Sequence, residues 1–227
     1  MPAVGSGTLG FVDAFPEAAV LKAVSQSLAV LDMIVEPEWE SRYYSYARAW
    51  DGAAELASMR NGSGNEYSIV FLPDGAVYVR GFAHESPMSP GRNDGELYPG
   101  LIDGLPERFL RWVTEPAFMF DGVSDITSCL WTVSGEAGSW EQGAVPKIGA
   151  HDDESGGKEL FALVTRPAPS QYVAFADDYY EVDLDEAAVA DIYAHRPLHA
   201  GLVARISPDR ALPDMLSELE TIGYPVA

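Results

Sequence analysis

Apolar residues recur at helical spacing between positions 16 and 35, where Val20, Leu21, Val24, Leu28, Leu31 and Ile34 follow Pro16. A proline in the first turn and a one-sided apolar stripe predict a helix there, and Pro37 ends it. From Glu40 to Phe82 the period shortens to two. Arg42, Tyr44, Tyr46, Arg48 and Trp50 share one face of an extended segment, and Tyr43, Ser45, Ala47 and Ala49 the other. Tyr67 to Leu72 and Ala76 to Phe82 flank Pro73-Asp74-Gly75. Proline fixes φ and glycine takes the left-handed position, so this is a hairpin that brings Glu66 close to Gly81.

Residues 84 to 100 carry Pro87, Pro90 and Pro99 among glycines and are expected to form a long irregular loop. A helix is predicted over Pro106 to Thr114 and a strand over Ile126 to Val133, which turns at Gly135 to Gly138 towards a partner near Trp140. Beyond the polar loop His151 to Gly157 the pattern is helical. In Ser170 to Glu181 the residues Tyr172, Phe175, Ala176, Tyr179 and Tyr180 lie on one side, with Asp177, Asp178 and Glu181 on the other. Asp185 is placed to cap a helix bearing Val189 and Ile192, and Pro213 to start one that stops at Gly223. The layout is α+β: an antiparallel sheet with an N-terminal helix, an inserted helix and a helical C-terminal third, read as one domain over 1–227.

Charge changes this picture more than composition does. With 47% hydrophobic residues the chain has the makings of a core without disulfide or metal. Its single cysteine, Cys129, allows no internal disulfide, and the first ten residues do not read as a secretory signal. No run of membrane-span length stands out, so the expected compartment is the cytoplasm. Lys plus Arg number 14 against 35 Asp plus Glu, a net charge of −21. That excess opposes nucleic acid and anionic membranes. Eleven carboxylates lie between Asp152 and Asp191 against Lys158 and Arg166 alone. Two readings fit: a solvated acidic face, or a docking surface for a basic protein formed by Asp177, Asp178, Glu181, Asp183, Asp185 and Glu186, with Asp191 nearby.

Several constellations are candidates for chemistry. The amides of Asn61-Gly62-Ser63-Gly64 beside Arg60 could hold an anion, although an ordinary glycine-rich turn explains them as well. His84 and Glu85 open the long loop, and with Arg60 and Asp152 they make the candidate catalytic set of a hydrolase. Ser86 lies outside any nucleophile elbow, and neighbours on extended chain point apart. His151, Asp152, Asp153 and Glu154 would add metal ligands only if that loop met His84; no metal motif is present and no cofactor is expected. His195 and His199 read as structural, and Cys129 as a buried inert thiol. The arginine and aromatic face at 42–50 is either a ligand platform or a source of internal ion pairs.

The runs Ser58-Met59-Arg60-Asn61-Gly62-Ser63-Gly64-Asn65-Glu66, Gly81-Phe82-Ala83-His84-Glu85 and Glu115-Pro116-Ala117-Phe118 resemble a group of bacterial proteins that share the Trp39 to Trp131 region. The resemblance implies a folded bacterial domain and brings no activity with it. The leading expectation is a non-catalytic acidic binding protein, such as an immunity or antitoxin-like inhibitor of a basic partner. The competing one is the hydrolase centred on His84 and Glu85.

Overall fold

Both faces of the central strands are buried: every residue of 67–71, 77–81 and 128–132 is, Ser68, Arg80, Ser128 and Thr132 among them. The computed structural model describes residues 11–136, 139–146 and 153–227. Its contacts divide the chain into two compact units, each built from two segments: Met1–Ala18 with Arg60–Ala162, and Ala19–Met59 with Leu163–Ala227. The architecture is α+β, and every strand pair described below is antiparallel.

In the first unit, strands β3 (Glu66–Phe71) and β4 (Val77–Phe82) form the expected hairpin, with Tyr67 opposite Gly81 and Glu66 opposite Phe82. Gly75 at its turn has φ +88. Strand β7 (Ser128–Thr132) pairs with β4, and the short β8 (Glu141–Gln142) pairs with β7. The inserted helix α2 (Glu107–Val113) buries Phe109 with its ring centroid 6.0 Å from that of Tyr78. Short strands β5 (Met119–Phe120) and β6 (Val123–Ser124) follow it. The opposite sheet face meets an aromatic cluster in which Phe161 stands 5.7 Å from Phe11, 5.2 Å from Phe15 and 5.3 Å from Tyr67. Gly81 is required here, since a Cβ would sit 2.8 Å from Phe161 Cζ. The short helix α3 (Gly157–Leu160) carries the chain to that ring.

The second unit is organised around α1 (Ala18–Val35), in which every residue from Val24 to Ile34 is buried. A helix enclosed on all sides belongs to a core or to a membrane. By length and composition it would cross one, at mean hydropathy 1.6, contrary to the expectation that no run reaches that length. Within the protein 72% of it is buried, and its polar residues have internal partners: Gln26 donates to the Ile222 carbonyl and Ser27 to that of Ile192. It is therefore the core helix of this unit. Around it lie the hairpin of β1 (Tyr44–Asp51) and β2 (Ala54–Arg60) and the helices α4 (Ala162–Thr165), α5 (Pro169–Tyr180), α6 (Glu186–Tyr193), α7 (Ala200–Ile206) and α8 (Leu216–Ile222).

Candidate functional site

The chain turns rather than extends at residues 84 and 85, and this overturns the expectation that the two side chains point apart. His84 Nε2 lies 3.1 Å from Glu85 Oε1, and Arg92 donates to the other Glu85 oxygen at 2.9 Å. The second ring nitrogen, Nδ1, is 2.9 Å from Asn65 Oδ1. Both imidazole nitrogens are thus engaged, and Glu85 is 77% exposed. Ser86 supplies no nucleophile: it is buried, donates to the Glu154 carbonyl and accepts from the Met88 amide. Arg60 is exposed on its strand, while His151 and Asp152 lie outside the described residues. Among the described residues no group of three or more His, Cys, Asp or Glu could hold a metal. In the Asn61 turn the Asn61 carboxamide accepts from the amides of Ser63 and Asn65, so the Ser63 amide is already engaged within the turn.

Beside this turn the first unit carries a cleft of about 430 Å³ whose walls include Glu66, Phe82, Phe118, Met119 and Asp125. Beneath it Arg80, only 1% exposed, pairs with Glu66 at 3.1 Å and donates to the Asp125 backbone carbonyl. Its guanidinium lies 5.4 Å from the Phe118 ring centroid. Burial raises the Asp125 carboxyl above the usual range, partly offset by Arg80. Cys129, on the neighbouring strand opposite Arg80, is buried and its thiol is pushed up to about 12, as expected of an inert cysteine.

In the second unit a cavity of about 230 Å³ touches Trp39, Arg42, Tyr44 and Tyr46. The guanidinium of Arg42 is consumed internally by Glu218 and the carbonyls of Glu36 and Pro37, and the Tyr46 hydroxyl donates to Glu55 at 2.7 Å. Internal pairing thus accounts for these two members of the face. His195 and His199 are structural too: His195 Nε2 lies 2.7 Å from the Ala23 carbonyl, and His199 caps α7 by accepting from the Leu202 amide.

The acidic stripe divides in two. Asp185 caps α6 through the amides of Ala187 and Ala188 and pairs with Arg205 at 2.8 Å; Asp191 pairs with Arg196 and Arg205. Asp177, Asp178, Glu181, Asp183 and Glu186 are exposed and form no ion pair among the described residues. Glu181 ends α5 in the left-handed region, at φ 57.

The most perturbed carboxylate among the described residues, Asp32, belongs to none of the expected sets. It is wholly buried in α1, where Oδ1 accepts from the Tyr172 hydroxyl at 2.7 Å. Its Oδ2 accepts from the Tyr180 hydroxyl at 2.7 Å and from the amides of Tyr43 and Tyr44 at 2.9 and 2.7 Å. Burial pushes it up to about 6 against the pull of those donors. The signal for it was on view in the sequence: a lone acid in the apolar run from Ala23 to Val35. No family model, curated protein or solved structure matches the chain.

Proposed function

We propose that the protein is a non-catalytic binding protein that docks a basic partner through the acidic edge of α5 and the α5–α6 connection. The observation that carries the reading is the set of five exposed carboxylates that form no ion pair among the described residues, Asp177, Asp178, Glu181, Asp183 and Glu186, on a chain of net charge −21. Such a field steers a cationic surface and speeds its association. A glutamate in the left-handed region at the end of α5 costs about 1 kcal/mol where glycine would cost little. An inhibitor of the immunity or antitoxin kind, acting in the cytoplasm, is the form of partner binding we favour. Hydrolysis at His84 and Glu85 is the weaker reading, because His84 Nδ1 is already hydrogen-bonded to Asn65 and Nε2 is held against Glu85.

The test is affinity capture from the native cell, followed by titration of the recovered basic protein at low and high salt. Asp177→Lys with Asp178→Lys should lower affinity about tenfold or more at low salt while moving stability by no more than about 0.5 kcal/mol per site. Glu181→Gly should raise stability by about 1 kcal/mol and still weaken binding. Opposite signs in one variant separate a docking role from a folding role. Unchanged affinity in the double reversal would sink the proposal.

A further inference from the structure

We propose that the cleft beside Glu66 and Asp125 in the first unit is a binding site for an organic cation, an alkylammonium or alkylguanidinium group. The charges at the cleft decide its sign. Glu66 pairs with Arg80, whose charge also reaches Asp125; the Asp125 carboxylate makes no hydrogen bond or ion pair of its own among the described residues, so two carboxylates share one cation and one negative charge is left over. An anion would meet both carboxylates. A divalent metal would find these two and, among the described residues, no third His, Cys, Asp or Glu. A cation with an alkyl stem finds what it needs: Phe82, Phe118 and Met119 for the methylenes and Asp125 for the charged head. The volume, about 430 Å³, lies at the small end of ligand pockets and suits a group of this size. A partly desolvated carboxylate gains more from a cation than one in open water, which gives this site an advantage over the exposed acids elsewhere on the chain.

The same chemistry is offered by a free amine and by a lysine or arginine side chain of another protein. The experiment titrates the intact protein, in 0.15 M salt to screen its general charge, with n-butylammonium and n-butylguanidinium. The neutral isostere n-butanol and the anion butyrate are the controls, and amide NMR shifts at Gly64, Gly91 and Asp125 are the readout. Saturable shifts with the two cations only, weakened at least tenfold in Asp125→Asn, are expected. That side chain makes no internal bond among the described residues, so the variant should fold. Glu66→Gln, which frees Arg80 and cancels the leftover charge, should weaken binding as well. Comparison of spermidine with an acetylated, amidated Gly-Lys-Gly peptide then assigns the source by which binds more tightly. Binding of butanol or butyrate as strong as that of the cations, equal binding by Asp125→Asn, or no saturable shift would overturn the proposal.

Discussion

Asp32→Ala is expected to cost the protein at least about 3 kcal/mol, a large fraction of the stability of an ordinary domain. The substitution removes an acceptor from four donors, the hydroxyls of Tyr172 and Tyr180 and the amides of Tyr43 and Tyr44, of which the Tyr43 amide keeps a second bond, to the Tyr180 hydroxyl at 3.0 Å. A buried donor without an acceptor costs about 1–3 kcal/mol, and the slightly better helix propensity of alanine offsets only a few tenths. Urea unfolding followed by circular dichroism measures the loss. A cost below 1 kcal/mol would mean that the donors that lose Asp32 find other acceptors.

The same residue gives the second unit a pH response of predictable sign. The folded-state carboxyl is raised from 3.8 to about 6, so between these values the native state binds more protons than the unfolded one. Its contribution is fully present below pH 4 and is lost as the pH rises through 6, and a rise of this size corresponds to about 3 kcal/mol. The proton has a place to go. Oδ1 faces only the Tyr172 hydroxyl, which can turn to accept, whereas Oδ2 faces two backbone amides that cannot. The other carboxylates titrate alike in wild type and Asp32→Asn, so their difference isolates Asp32. The stability advantage of wild type over the variant should grow as the pH is lowered from 7 to 4.5, and a constant advantage would contradict the assignment.

What the sequence made legible follows range. The Pro73-Asp74-Gly75 hairpin, the cap at Asp185 and the glycine stop at Gly223 are decided within a few residues, and the structure keeps them all. Helix α7 carries none of the start signals that marked α6 (Asp185) and α8 (Pro213), and His199 is not a residue whose type announces a cap. The pairing of His84 with Glu85 was hidden by the assumption of extended chain at what is a turn. Asp32 could be noticed as a lone acid but not understood, since its partners lie 11, 12, 140 and 148 residues away. The cleft at Asp125 has the same character: Glu66, Phe82 and Phe118 reach it from three separate stretches of chain.

A glycine that no motif marks should be among the least replaceable residues of the first unit. Gly143 does not have a positive φ, so its backbone would accept alanine; what forbids it is space. A Cβ there would fall 2.6 Å from the Leu101 carbonyl oxygen and nearer still to that of Gly100. These are backbone atoms, unable to swing aside as a flexible side chain would, and Leu101 is itself buried in the core. Overpacking a well-filled site costs about 1–3 kcal/mol when side chains can yield, so Gly143→Ala is expected at or above the top of that range, with a fall in Tm of about 10 °C. Gly62→Ala supplies the contrast. Gly62 has φ +70 but nothing within 4 Å of its Cβ position, so alanine there meets only the left-handed backbone cost of about 1–2 kcal/mol. Thermal melts of the two variants side by side separate crowding from backbone strain. If Gly143→Ala melts no lower than Gly62→Ala, the close approach of 100–101 to 143 does not constrain the fold.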